Sequence, residues 1–232
     1  KIIPVKLLAT VITIFSGGSV GKEGPGAQLG AGAASFVATL LKFSKSDRRK
    51  LVICGISAGF ASVFGTPIAG AIFGIEVLII GVIMYDVLLP SFIAGFAAFT
   101  TAQFLGVKYH YYDINVYRAF DLDFSLILQV VAAGIFFGIV SDLFITSVNK
   151  IETWMKKIPY NIYIKAFVAG CIMVIISYFL SENYLGLGLL SIRDALSPNA
   201  LISSNVHWYD FILKTIFTSL TLGAGGSGGI IT

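Results

Sequence analysis

The stretch Ser16-Gly17-Gly18-Ser19-Val20-Gly21-Lys22-Glu23-Gly24-Pro25 interrupts an apolar helical pattern, and Gly223-Ala224-Gly225-Gly226-Ser227-Gly228-Gly229-Ile230-Ile231-Thr232 does the same near the other end of the chain. Both contain Gly-Gly-Ser or its near repeat, and both fall where a helix would be broken at membrane depth. Irregular backbone is tolerated there only when it is buried in protein or lines a wet cavity. Paired interruptions in the two halves of a transporter are the best sequence pointer to a substrate site. A half-helix starting after each cluster would aim unpaired N–H groups and a partial positive charge at one central point. Such a point attracts an anion.

The Gly21-Lys22 pair superficially resembles the end of a phosphate-binding loop. That reading fails because Ser16 takes the place of the first glycine and Glu23 the place of the required Ser or Thr. Glu23 itself is the more telling residue. A carboxylate between glycines and a proline, at a helix start deep in apolar sequence, is costly and marks function by default. As an ion it satisfies helix N-terminal donors; as an acid it needs fewer of them. It can therefore compete with a permeant anion for the same N–H groups, which makes it a candidate gate. The bland alternative is a simple capping carboxylate.

Around these stretches the chain is built for lipid. Of its 232 residues 56% are hydrophobic and 12% charged, with mean hydropathy +0.89, whereas a soluble domain is about 25% charged. This argues against a disordered tail, a secreted disulfide scaffold and a water-soluble enzyme. Charge-free runs cover 7–21, 24–41, 51–75, 87–107, 124–141, 166–181 and 215–232, and a helix needs about 20 apolar residues to cross the hydrocarbon. The expectation is an all-α, polytopic transmembrane bundle with broken helices. Gly65-Thr66-Pro67 breaks the run 51–75, which predicts helices over 48–63 and 67–79. Cys54 and Cys171 sit in apolar stretches and read as small buried hydrophobes, not as a disulfide or metal pair.

The net charge is +4, but its distribution says more. Residues 42–50 carry five positive charges and one negative, and 149–165 carry four lysines and one glutamate. Residues 107–124 hold two positive and three negative charges with four tyrosines. The positive-inside bias puts the first two in the cytoplasm and the third outside. No nucleic-acid motif accompanies the basic residues. Four glycine pairs at i, i+4, namely Gly26/Gly30, Gly55/Gly59, Gly70/Gly74 and Gly134/Gly138, predict close helix packing. Asp142 and Lys214 break apolar helices and are expected to pair or snorkel. Glu76 reads as structural, with a wet vestibule as the alternative. His110 and His207 read as surface residues, and 149–157 as a solvated helix end.

These residues together resemble the CLC family of chloride channels and chloride/proton exchangers. Gly21-Lys22-Glu23-Gly24-Pro25 is similar to that family's G(K/R)EGP motif, and Gly228-Gly229-Ile230-Ile231 stands at its GGIFxP motif. Pro4-Val5-Lys6, Pro67-Ile68-Ala69-Gly70 and Phe73-Gly74-Ile75-Glu76 fit in order and spacing. The resemblance implies an inverted-repeat subunit with tilted helices, here partial, that pairs into a homodimer with one ion pathway per subunit. It implies that Glu23 is the external gate and that backbone amides of Lys22, Glu23, Gly24, Ile230, Ile231 and Thr232 line the anion sites. Gly21, Gly228 and Gly229 are the motif glycines. The family's serine and tyrosine at the central anion lie outside the chain, so it reads as an excerpt, a single transmembrane domain over 1–232, of a longer pore domain.

Three departures bear on mechanism. Ile231 replaces the family's usual phenylalanine, keeping the amide. Lys22 stands where many exchangers have arginine. Exchangers carry a second glutamate where Val77 follows Glu76, and Val77 cannot carry a proton. The Phe73–Val77 stretch therefore resembles the channel branch, although fluoride-selective exchangers also lack that acid and share a threonine at the position of Thr232. The expected function is passive, Glu23-gated, voltage-gated chloride conduction in a plasma membrane. Chloride/proton or fluoride/proton exchange is the alternative, and a non-transporting structural fragment a further one. The expected partners are chloride or a related small anion, protons under the exchange reading, membrane lipid and a second copy of the chain. No enzyme activity, cofactor, metal or nucleic acid is expected.

Overall fold

A computed structural model of the chain describes residues 2–77, 84–109, 123–196 and 207–229, in which all the regular structure is helical apart from one isolated bridge. These residues fall into two compact units, one drawn from Lys1–His110 and Ser227–Thr232, the other from Tyr111–Gly226.

The first unit holds α1 (Ile2–Phe15), α2 (Glu23–Leu40), α3 (Lys45–Phe64), α4 (Pro67–Glu76) and α5 (Tyr85–Phe104). The break between α3 and α4 falls at Gly65-Thr66-Pro67 as expected. Gly65 adopts a left-handed φ of 73°, which ends α3 with its N–H on the Ala61 carbonyl, and Pro67 opens α4 without needing a donor. At the other end α3 begins earlier than 48, because Ser44 caps it by accepting from the Asp47 N–H at 3.2 Å and donating to Asp47 Oδ2 at 2.7 Å. Helix α4 is described to Glu76; the expected continuation to 79 lies outside the described residues.

The glycine pairs explain how the unit closes. A Cβ on Gly30 would run into the carbonyl oxygen of Gly55, and one on Gly59 into that of Gly26, so α2 and α3 meet backbone to backbone. A Cβ on Gly70 would lie 2.9 Å from the Ala61 N and the Ser57 O, and Gly74 abuts the Ser57 side chain, which seats α4 on α3 in the same way. Ile53, Cys54, Ile75 and Val87 form the buried apolar cluster at the junction of α3, α4 and α5. Lys50 Nζ and Asp86 Oδ2, 2.6 Å apart, tie the starts of α3 and α5 together at the surface.

The second unit holds α6 (Phe124–Lys157), α7 (Ile162–Phe179), α8 (Leu189–Ala195) and α9 (Asp210–Gly223), with a 3-10 turn at Glu182–Tyr184. Asp123 caps α6 and Asn161 caps α7. Helix α9 packs on α6 and α7: Met173, Tyr184 and Phe217 form one buried cluster, and Met155, Ala169 and Ala224 another. Side-chain bonds fasten the loop before α8 to the start of α9. Tyr184 Oη donates to Asp210 Oδ1 at 2.6 Å, and Lys214 Nζ donates to the carbonyls of Gly186 at 2.8 Å and Tyr184 at 3.1 Å.

Among the described residues three helices, α5, α6 and α7, are long and apolar enough to cross a membrane. No residue in the apolar window of α6 is buried inside the protein, and Ile127, Leu128, Val130, Ile135, Phe137 and Ile139 are all more than half exposed. Surfaces of this kind are stable only against lipid or further protein. Several expectations are corrected here. Gly134 and Gly138 have nothing within 4 Å of a Cβ position, so this pair makes no close contact among the described residues. Cys171 is exposed on the spanning helix α7, in contrast to buried Cys54. Asp142 is exposed, and Lys214 bonds to backbone carbonyls, so the two do not pair. His110 lies outside the described residues.

Candidate functional site

In the first unit the two glycine clusters touch. Helix α1 ends when the Gly18 N–H reaches back to the Thr13 carbonyl at 2.9 Å, with Gly17 at a φ of 85° that a side-chain-bearing residue rarely adopts. The chain then runs through Ser19 and Val20, both with no exposed surface, to Gly21. There it forms an isolated antiparallel bridge: Gly21 N–H donates to the Gly229 carbonyl at 2.9 Å, and Gly229 N–H donates to the Gly21 carbonyl at 2.7 Å.

The junction has no room for side chains. A Cβ on Gly229 would lie 2.9 Å from the Gly24 N and 3.2 Å from the Gly21 O, one on Gly24 would lie 3.2 Å from the Gly229 Cα, and one on Gly228 would strike Val20. Glycine at 24, 228 and 229 is thus a requirement of contact. Two residues of α1 that the motif reading passes over hold the second loop from the side. Thr13 Oγ1 accepts from the Ser227 N–H at 3.1 Å while donating to the Ala9 carbonyl at 2.8 Å, and Thr10 Oγ1 lies 3.4 Å from Ser227 Oγ. Their signal in the sequence is two hydroxyls one helical turn apart in the otherwise apolar run 7–15.

Helix α2 starts at this junction. Its N-cap, Lys22, makes no side-chain capping bond, and Pro25 has no N–H. The first amide in the ladder is that of Gly26, which donates to the Lys22 carbonyl at 3.0 Å. The amides of Glu23 and Gly24 precede the ladder and reach no carbonyl among the described residues. They carry the positive end of an 18-residue helix. Glu23 is half-buried, and its Oε2 is fully buried with no hydrogen-bond partner among the described residues. Lys22 is exposed and forms no ion pair among the described residues, so Glu23 is not neutralised by its neighbour. An unpartnered buried carboxyl oxygen costs at least about 1–3 kcal/mol. The arrangement is a helix N-terminus whose first amides reach no described carbonyl, beside a buried carboxyl oxygen with no described donor.

The other expected residues are less informative. Ile230, Ile231 and Thr232 lie outside the described residues. Val77 follows the end of α4, and both it and Glu76 are exposed. Among the described residues no three His, Cys, Asp or Glu side chains gather as metal ligands.

Comparison with known proteins places this geometry in context. A family model described as "Voltage gated chloride channel" matches residues 1–232. The chain is 36% identical over its whole length to a chloride/fluoride channel protein of Pseudomonas syringae pv. tomato, covering 51% of that protein. It is 26% identical over 99% of its length to an H(+)/Cl(-) exchange transporter of Yersinia pestis bv. Antiqua, covering 48% of it. Among solved structures it is similar to a CLC-type fluoride/proton antiporter, with a TM-score of 0.87 and 31% identity over 97% of this chain and 55% of that one. The chain thus spans about half the length of the relatives it matches.

Proposed function

This chain belongs to the voltage gated chloride channel family, an all-helical family of integral membrane proteins, and from that premise we propose that the whole protein carries a small halide, chloride or fluoride, across a membrane in exchange for protons. The observation that carries the reading is the buried Glu23 Oε2, without a partner among the described residues, at the start of α2, where Lys22 makes no side-chain capping bond. In the charged state the carboxylate takes the amides of Lys22, Glu23 and Gly24 for itself. Protonation weakens its hold, and a halide takes its place. The same group thereby gates the anion and carries the proton. The reading also assigns to the anion the backbone amides of Ile230, Ile231 and Thr232, which follow in sequence the Gly228-Gly229 pair whose second glycine bridges Gly21. Holding the ion with helix N-termini and no fixed full charge lets it leave as readily as it enters. The working unit is a homodimer with one such pathway in each copy.

The relatives named for proton exchange support coupling over the passive conduction expected from Val77. That residue still favours a second reading: without an acid at 77, a coupled proton must leave by another route or the pathway is a channel. Flux measurement on the full-length protein in liposomes separates the two. A chloride or fluoride gradient should drive protons uphill, and Glu23→Gln should abolish that movement to background while anion flux persists without pH dependence. Anion gradients that collapse with no proton movement in the unaltered protein would replace exchange by passive conduction. Unchanged flux and pH response in Glu23→Gln would remove Glu23 from the gate.

A further inference from the structure

The C-terminal third of α6 carries a groove that none of the roles above uses. Thr146, Asn149, Lys150, Thr153, Trp154 and Lys157 line a cavity of about 490 Å³. Their spacing of three and four puts them on one helix face. Measured from Phe124, Thr146 lies about 33 Å along the helix, beyond the ~30 Å of hydrocarbon that the apolar part of α6 can fill. The groove therefore sits at headgroup level, on the side that the charge bias assigns to the cytoplasm.

Its two lysines are set apart from the others around them by having no ion-pair partner among the described residues. Lys156, on another face, is 2.6 Å from Glu152, and Lys165 Nζ donates to the Met155 carbonyl at 2.8 Å. Lys150 and Lys157 are exposed and have no ion-pair partner among the described residues. Trp154 between them is 60% exposed, and an indole exposed at this depth is at home among glycerol and upper acyl groups. Exposed Ile145 and Ile162 extend the apolar border. A soluble anion would use the lysines and leave the tryptophan and its border bare; a phospholipid uses all of them.

We infer that this groove is a binding site for an anionic glycerophospholipid, the phosphate held by Lys150 and Lys157 and the glycerol region packed on Trp154. The inference rests on residence in a membrane and stands apart from the transport reaction. The test is native mass spectrometry of the full-length protein with phosphatidylglycerol and phosphatidylcholine of identical acyl chains. Each lysine near an anionic surface contributes about fivefold, so Lys150→Gln/Lys157→Gln should lower the preference for phosphatidylglycerol at least fivefold. The matched pair Lys42→Gln/Arg49→Gln in the other basic loop should change it less than twofold, and Lys150→Arg/Lys157→Arg, which keeps the charge if the glutamine pair does not fold, should retain it. Equal losses in the two glutamine pairs, or no loss in the groove pair, overturn the site. So does competition by glycerol 3-phosphate as effective as that of the lipid, which indicates a free-phosphate site. Protection of Lys150 and Lys157 from amine acetylation in delipidated protein also overturns it, because another protein segment then fills the groove.

Discussion

Gly26 and Gly30 on α2 share the i, i+4 spacing of Gly134 and Gly138 on α6, but the first pair presses against the backbone of α3 and the second has nothing within 4 Å. The two regions close by different means. In the first unit, glycine removes the side chains and carbonyls of one helix rest on Cα atoms of the next, which brings the start of α2 into contact with Gly229. In the second unit, the elements are joined by side chains: a phenol on a carboxylate, an ammonium on two carbonyls, methionines against a phenylalanine. Small-residue spacing permits close approach of helices; whether approach happens depends on what stands opposite.

Substitution at the glycine seam is the strongest way to test that contrast. Gly30→Leu should cost about 3 kcal/mol or more and leave little folded full-length protein, because the obstacle is backbone that cannot turn aside. Gly134→Leu should change stability by less than about 0.5 kcal/mol, and in the favourable direction as much as not, since leucine is the better helix former. Thermal melting in detergent compares the two. Similar losses at both sites would mean that α6 has a close partner after all.

A smaller effect sharpens the boundary of the seam. Thr13→Val keeps the shape of the residue and removes the acceptor for the Ser227 N–H, which should cost about 1–2 kcal/mol. Thr13→Ser should restore most of it. The smallest effect belongs to the second unit and distinguishes it by pH. Burial first, and then the Asp210 carboxylate, push the Tyr184 phenol above its ordinary value. A group raised on folding contributes stability that is full below the unfolded pKa, about 10 for tyrosine, and lost as pH climbs past it. The unaltered protein should therefore lose melting temperature more steeply above pH ~10 than Tyr184→Phe does. Parallel slopes would show that the phenol adds nothing to the alkaline limb.

What could be read in the sequence follows from the same contrast. The break at Gly65-Thr66-Pro67 was legible because left-handed glycine and a first-turn proline act locally. The meeting of the two glycine clusters was legible because interruptions of apolar helices are rare and came as a pair. The open face of Gly134 and Gly138 was not, since spacing says nothing of the partner. Cys171 misled for a related reason: in a membrane an apolar setting is equally the outside of the protein. The grip of Thr13 on Ser227 was missed because a hydroxyl on an apolar helix normally bonds its own preceding turn, as Thr13 also does. For Lys214 the sequence left pairing with Asp142 and snorkelling open, and the fold instead gives its ammonium two turn carbonyls, whose places no spacing announces.

The bond between Thr13 and Ser227 joins residues 214 apart in sequence. At about 5–20 residues per second a ribosome needs roughly 10–40 s to travel from one to the other. For nearly all of that interval the start of α2 has been made while the segment that pairs with it, Ser227–Gly229, has not. Loop closure over such a span is costly in entropy but grows only slowly with length. The junction between the two glycine clusters is thus complete only once Ser227 and the glycines after it have been made.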